Sequence, residues 1–142
     1  MKNNSKIATI AGILITILAL GFSAFIIFNG SKEAIFTIDE TTNTLEISGG
    51  LYSKKIVIDS TVAISMTDPL VIARRTNGSS VGNVKSGYFT LEGELAVYLN
   101  LGDSTHPWIE IYDGEDYFYI NLKDEQSTLD LYNELLAQYQ EG

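Results

Sequence analysis

The sequence predicts a mainly β protein that begins with a transmembrane helix and ends with one amphipathic helix. Residues 7–28 contain neither a charged residue nor a proline. After residue 33, turn signals recur about every ten residues, a spacing typical of an antiparallel sandwich or barrel rather than of alternating βαβ units. The C-terminal segment places apolar side chains at helical spacing.

The apolar segment at residues 7–28 is long enough to cross a bilayer. A helix of this length extends about 33 Å, and the hydrocarbon core of a bilayer is about 30 Å thick. A cleaved signal peptide remains an alternative, although its apolar stretch is shorter and only Gly21–Ala24 offers a weak small-x-small site. A core helix that is apolar on every side is a second alternative. We expect a retained single-pass anchor.

The charges beside this segment predict its orientation. Lys2 and Lys6 precede it, whereas Lys32 follows it and is joined at once by Glu33. By the positive-inside rule, residues 1–6 form a cytoplasmic tail, residues 29–32 a short linker, and residues 33–142 one domain outside the cytoplasm. The expected location is the cell membrane, and the absence of cysteine is compatible with an exported domain that uses no disulfides.

The domain itself is strongly acidic. Residues 33–142 contain all 18 acidic residues and six of the nine lysines and arginines, which gives a formal net charge of −12. Such a domain is repelled by phosphate backbones and anionic headgroups, so we do not expect a nucleic acid partner.

The domain contains a series of strand-like segments separated by turn signals. They are residues 34–39, 44–47, 51–58, 60–67, 70–75, 84–91, 95–99, 108–112 and 117–120. Asp113-Gly114 predicts a tight hairpin between the last two segments. Residues 76–80, which include Asn77-Gly78, are expected to end the strand at residues 70–75.

A helix is expected to close the chain. Either Asp124 or Ser127 is suited to cap it, because both side chains accept hydrogen bonds from free backbone N–H groups. Its predicted apolar stripe consists of Leu129, Tyr132, Leu135, Leu136 and Tyr139. This stripe is expected to cover an open end or apolar edge of the strand layer.

About seven strands followed by one amphipathic helix is the order of a pleckstrin-homology-like (PH-like) domain. The stretch Arg74-Arg75-Thr76-Asn77-Gly78, followed by Gly82 and Gly87-Tyr88-Phe89, resembles part of the small bacterial PH-domain proteins. Residues 45–52 and 119–121 resemble the same family, so the resemblance covers nearly all of residues 34–136. It implies a PH-like antiparallel sandwich or barrel with a C-terminal capping helix. It implies no reaction and, because the first hairpin loop at residues 40–43 is acidic, no phosphoinositide binding.

Few residues offer catalytic or metal-binding chemistry. His106 is the single histidine, and no cysteine or second histidine completes a transition-metal site or a nucleophile–base pair. Asp113, Glu115 and Asp116 lie close together but lack the ligand spacing of a calcium loop. We therefore expect a non-catalytic protein with no metal and no cofactor.

The candidate binding residues are Arg74, Arg75, Thr76, Asn77 and Gly78, the one local reversal of the acidic charge. Arginine pairs well with carboxylate or phosphate, although adjacent residues of a strand point to opposite faces. The expected function is a membrane-anchored binding or assembly module of the bacterial cell envelope with a protein partner. The alternatives are recruitment of an anionic polymer or lipid through Arg74 and Arg75, and an enzyme or metal-dependent sensor with a carboxylate site.

Overall fold

The computed structural model describes residues 2–49 and 52–141, so Leu51, the first residue of the third predicted strand-like segment, and Gly50 before it lie outside the described residues. The first element is the helix α1, Lys2–Gly30. It contains a 20-residue stretch, Lys6–Phe25, with a mean hydropathy of 2.3 and none of it buried. The protein thus has an N-terminal helix that is long and apolar enough to span a membrane, as predicted for residues 7–28.

The domain that follows is mainly β, as predicted, and its described residues form nine strands, one at each of the nine predicted strand-like segments, where the PH-like order has about seven. The strands are β1 Ile35–Asp39, β2 Thr44–Ser48, β3 Lys54–Val57, β4 Ala63–Thr67, β5 Ile72–Val81, β6 Val84–Leu91, β7 Ala96–Leu101, β8 Trp108–Tyr112 and β9 Tyr117–Asn121. The chain closes with the helix α2, Glu125–Glu141. Asp113 and Gly114 lie in the β8–β9 hairpin loop, as predicted.

The strands form two sheets. The small sheet is an antiparallel meander of order β1-β2-β3, and the large sheet has the order β4-β8-β9-β7-β6-β5. The expectation of a purely antiparallel domain is wrong, because β7 and β9 pair in parallel. A parallel pair needs a crossover connection, and residues 102–116, which include all of β8, provide it.

Asn121 holds this crossover in place. Its side chain is fully buried at the end of β9, and its Nδ2 donates to the carbonyl oxygens of Asp103 at 2.7 Å and Pro107 at 3.2 Å. Its Oδ1 accepts from the Asp103 N–H at 3.2 Å. One buried amide therefore satisfies backbone groups that an irregular segment would otherwise leave unpaired.

Both faces of the large sheet carry buried apolar side chains. One cluster joins the large sheet to the small sheet and α2, and its fully buried members are Leu45, Ile47, Ile58, Ile109, Ile111, Ile120 and Leu135. A second cluster lies on the other face of β6, β7, β8 and β9, and consists of Phe89, Leu91, Val97, Leu99, Leu101, Trp108 and Tyr119. The alternation of side chains along each strand accounts for these two faces.

The predicted end of the strand at Arg75 is wrong, because β5 continues through Asn77-Gly78 to Val81. Two register irregularities, between Ile72 and Arg74 and between Arg75 and Asn77, let β5 stay paired with β6. Gly78 lies opposite Gly87, where a Cβ atom would lie 2.5 Å from the Ser86 carbonyl oxygen. Gly78 therefore serves close approach of two strands rather than a turn.

The apolar stripe of α2 is rotated relative to the prediction. Leu131 and Leu135 are buried, with Tyr132 and Leu136 partly buried beside them, whereas Leu129 and Tyr139 are exposed. Of the two predicted caps, Asp124 is used, since its Oδ1 accepts from the Ser127 N–H at 2.8 Å. The buried hydroxyl of Thr128 accepts a hydrogen bond from the Leu122 N–H at 3.0 Å, so the side of α2 that carries Thr128 faces the domain. This contact accounts for the rotation.

The connection between α1 and the domain is short. The helix ends at Gly30, and Ala34 is already buried in the core. Between them, the Glu33 Oε1 accepts from the Lys123 N–H at 2.5 Å, which ties the start of the domain to the segment before α2. Only Ser31 and Lys32 separate the helix from this fixed point.

Candidate functional site

A cavity of about 240 Å³ opens beside β5. Two of the five predicted binding residues, Thr76 and Asn77, line it, and the remaining lining comes from β3, β6, β7, β9 and the residues next to them. These residues are Lys54, Tyr88, Phe89, Ala96, Val97, Tyr98, Asp116, Tyr117 and Phe118. Five of the eleven lining residues are aromatic and four are polar or charged without a ring, and an apolar lining with a few polar groups is the usual composition of a small-ligand or side-chain pocket.

Aromatic rings on neighbouring strands form its apolar part. Tyr88 and Tyr98 are cross-strand partners of β6 and β7, and their rings meet edge to face with centroids 5.6 Å apart. The Phe118 ring lies 6.0 Å from that of Tyr98, because the parallel register of β7 and β9 aligns the two residues. Such ring pairs stabilise each other by about 0.5–1.5 kcal/mol beyond area burial, which favours a preformed cavity.

Lys54 brings a positive charge to these rings. Its Nζ lies 5.1 Å from the Tyr88 ring centroid and 5.6 Å from that of Tyr98. Both distances are within the range of a cation–π interaction. Lys54 lies on β3, so the small sheet contributes the cation and the large sheet contributes the rings.

Asn77 connects the two sheets at this site. Its Oδ1 accepts a hydrogen bond of 3.0 Å from the Tyr52 hydroxyl, just before β3. The Tyr52 ring also lies against Gly87, where an added Cβ would be 3.3 Å from its Cε2. Thr76 pairs with Thr90 of β6 through their hydroxyls at 3.3 Å. Asn77 and Thr76 therefore position β5 as well as lining the cavity.

The two predicted arginines lie outside this cavity. Arg74 is exposed, and its Nη2 lies 3.6 Å from Oε2 of Glu94, which is 86% exposed. An ion pair this exposed contributes at most about 1 kcal/mol. Arg75 is also exposed, and no carboxylate of the described residues lies within 4 Å of its guanidinium. Arg74 and Arg75 are therefore not part of the cavity lining to which Thr76 and Asn77 belong.

Three buried polar groups on one face of β6 and β7 have no hydrogen-bond partner among the described residues: the Ser86 hydroxyl, the Tyr98 hydroxyl and the Asn100 Nδ2. Ser86 and Asn100 are cross-strand partners, and Tyr98 is two residues before Asn100 on the same face. Burial raises the pKa of Tyr98, although the nearby Asn100 side chain acts in the opposite direction. The Tyr98 hydroxyl therefore stays protonated at neutral pH and is a hydrogen-bond donor.

The other candidates from the sequence lie in loops. The His106 Nε2 is 4.0 Å from Oδ2 of Asp103, a carboxylate whose pKa is lowered mainly by the Thr105 hydroxyl. Asp113 accepts the backbone N–H groups of Glu115 and Asp116 at 3.0 Å and 2.8 Å, so its carboxylate closes the hairpin loop. Within residues 2–49 and 52–141, no three histidine, aspartate or glutamate side chains are grouped as metal ligands.

Sequence analysis missed most of this cavity. Tyr98, Tyr117 and Phe118 are brought together by the pairing of β7 with β9, and Lys54 comes from β3 of the other sheet. One signal was present in the sequence: Gly87-Tyr88-Phe89 places two adjacent aromatic residues on β6, and both line the cavity.

We compared this chain with known proteins by sequence and by structure. No family model, no curated protein and no solved structure matches the chain. Its function therefore has to be argued from its own residues.

Proposed function

We propose that this protein is a membrane-anchored, non-catalytic binding module of the bacterial cell envelope, with a PH-like domain outside the cytoplasm. In this proposal α1 is the anchor, and a protein partner inserts an apolar side chain into the cavity beside Thr76 and Asn77. The order of strands followed by a C-terminal helix is compatible with a PH-like domain, and the mixed large sheet is a departure from a purely antiparallel one.

The observation that carries this proposal is the aromatic cavity itself. At about 240 Å³ it is smaller than the roughly 300–1,000 Å³ of pockets that enclose drug-sized ligands. It is larger than the roughly 150 Å³ that accommodates a benzene molecule. Its size therefore suits one aromatic or large aliphatic side chain, and the exposed Tyr88 at its rim makes it accessible.

Photo-crosslinking in cells tests the proposal. A photoreactive phenylalanine analogue replaces Tyr88, which is 40% exposed at the cavity, or Leu129, a 43% exposed control residue on α2 away from the cavity. We expect a discrete crosslinked protein with the analogue at position 88 and none at position 129. Ala96→Trp, which fills the mouth of the cavity, should abolish the crosslink. Equal crosslinking at both positions, or a crosslink that survives Ala96→Trp, would refute the proposal.

A second candidate function is recruitment of an anionic polymer or lipid through Arg74 and Arg75. The observation in its favour is that Arg75 is exposed and has no carboxylate within 4 Å among the described residues. The pairing of Arg74 with Glu94 weakens it, because only one free arginine remains on a domain of net charge −12. Sedimentation with anionic vesicles or teichoic-acid-type polymer, at low and high salt, tests it. Salt-sensitive binding that Arg75→Glu abolishes would support recruitment.

A further inference from the structure

Lys54 differs from the other cations around it. Lys55, the next residue, lies 3.4 Å from Glu46, and Arg74 lies 3.6 Å from Glu94. Lys54 instead contacts two tyrosine rings, and in the described part of the chain no carboxylate lies within 4 Å of its Nζ. In a domain of net charge −12, this cavity therefore has a half-buried ammonium group without a counter-ion.

Tyr98 forms part of the cavity wall beside Lys54. The residue is only 3% exposed, and its ring centroid lies 5.6 Å from the Lys54 Nζ. Its hydroxyl is enclosed next to the Asn100 side chain, so a ligand in the cavity meets the ring rather than the hydroxyl. The Lys54 ammonium is therefore the group of this cavity that suits an anionic oxygen.

Asp116 restricts where such an oxygen can lie. It lines the same cavity and is exposed in the β8–β9 loop, so its carboxylate repels an anion on that side. Glu115 beside it adds to this repulsion. A ligand with several negative charges is disfavoured here, whereas a single carboxylate directed toward Lys54 is accommodated.

We propose that the cavity binds the carboxyl terminus of a partner polypeptide that ends in an aromatic residue. The terminal ring packs among Tyr88, Tyr98 and Phe118, and the terminal carboxylate pairs with Lys54. In a terminal aromatic residue the ring centre and the carboxylate are only about 5 Å apart. A ring that packs beside Tyr88 and Tyr98 can therefore place its carboxylate at Lys54, because the Lys54 Nζ lies 5.1 Å and 5.6 Å from the centroids of these two rings. The inference rests on the proposed function, since it names the group that enters the cavity.

Peptide binding to the full chain in nanodiscs tests this inference. The probes are acetyl-Gly-Gly-Phe with a free carboxylate, the same peptide amidated, and acetyl-Gly-Gly-Ala with a free carboxylate. Amide chemical shifts of Ala96 and Tyr117 report on the cavity, and those of Leu129 serve as the remote control. We expect the free-acid phenylalanine peptide to bind roughly three- to tenfold more tightly than its amide. The alanine peptide should bind more weakly than both.

Matched variants assign the preference to the charge. Lys54→Met retains an unbranched apolar side chain over the rings and should make the acid and amide peptides bind equally. Lys55→Met, one residue away on β3, should leave the preference intact. Asp116→Asn should strengthen binding of the acid peptide.

The outcomes separate this inference from the proposed function. Equal binding of acid and amide peptides by the unchanged protein would overturn the carboxyl-terminus inference and retain the cavity as a side-chain site. A preference for the acid that survives Lys54→Met would also overturn it. Absence of shifts at Ala96 and Tyr117 with any phenylalanine peptide would overturn both this inference and the cavity as the binding site.

Discussion

The close approach of β5 and β6 at Gly78 and Gly87 leads to a quantitative prediction. An added Cβ at Gly78 would lie 2.5 Å from the Ser86 carbonyl oxygen, and one at Gly87 would lie 2.6 Å from the Asn77 carbonyl oxygen. Both neighbours are backbone atoms, so the strands themselves would have to separate. Gly87 also has a φ of +113°, whereas Gly93, with a φ of +88°, has open space around its missing side chain.

Alanine substitutions at these three glycines distinguish the backbone cost of a positive φ from the steric cost of an added Cβ. Gly93→Ala has only the backbone cost of positive φ, about 1–2 kcal/mol. Gly78→Ala has only the steric cost, about 1–3 kcal/mol. Gly87→Ala has both and should reduce the free energy of unfolding by roughly 2–5 kcal/mol. The double variant Gly78→Ala, Gly87→Ala should cost less than the sum of its parts, because one separation of the strands relieves both clashes.

Urea unfolding of the full chain in detergent micelles measures these costs. Trp108 is the single tryptophan, is fully buried, and packs edge to face against Tyr119 at 5.8 Å. Its fluorescence therefore reports on the domain and not on α1. A cost of Gly87→Ala no larger than that of Gly93→Ala would refute the close approach of β5 and β6.

Three further predictions concern α2 and the loops. Leu135→Ala should cost about 2–5 kcal/mol in urea unfolding, and Leu129→Ala less than about 1 kcal/mol; equal costs would contradict the orientation of α2. Asp124→Ala should lower the free energy of unfolding by about 0.5–2 kcal/mol, and Asp124→Asn by much less, because asparagine is also a good N-cap residue. Equal costs of the two variants would contradict Asp124 as the cap. The melting temperature should fall as the pH drops below about 4. The reason is that four aspartates accept hydrogen bonds from a serine or threonine two or three residues further on, which lower the pKa values of these aspartates in the folded state. Protonation of these aspartates at low pH therefore removes the stability that they provide. A melting temperature that stays constant down to about pH 2 would contradict this. The four are Asp39, Asp59, Asp103 and Asp124.

Much of the architecture was accessible from sequence because it depends on local chemistry. The apolar run of α1, the Asp113-Gly114 hairpin and the C-terminal helix each have a signal within a few residues. The continuation of β5 through Asn77-Gly78 was not accessible from sequence. A glycine is needed at position 78 because Gly87 lies opposite it, and only the pairing of β5 with β6 brings the two residues together. The parallel pairing of β7 and β9 was not accessible either, because the crossover between them is held by hydrogen bonds between Asn121 and the backbone of Asp103 and Pro107, 14 to 18 residues earlier in the chain.

The candidate site was only partly accessible for the same reason. The basic segment was visible in the sequence, and it led to Thr76 and Asn77 at the edge of the cavity. The sequence also suggested Arg74 and Arg75, which lie outside the cavity lining. Lys54 could not be distinguished from Lys55 by composition. The two lysines differ in their contacts, because Lys54 contacts tyrosine rings and Lys55 contacts Glu46.

The two-residue connection between α1 and the domain has a consequence for affinity. With α1 in a bilayer, Ser31 and Lys32 extend about 7 Å, so the domain can explore only a thin layer next to the lipid surface. A partner anchored in the same membrane shares this layer, and tethering of this kind raises effective concentrations into the millimolar range. A cavity that holds a single side chain is then more fully occupied by a partner in the same membrane than by the same group on a soluble molecule.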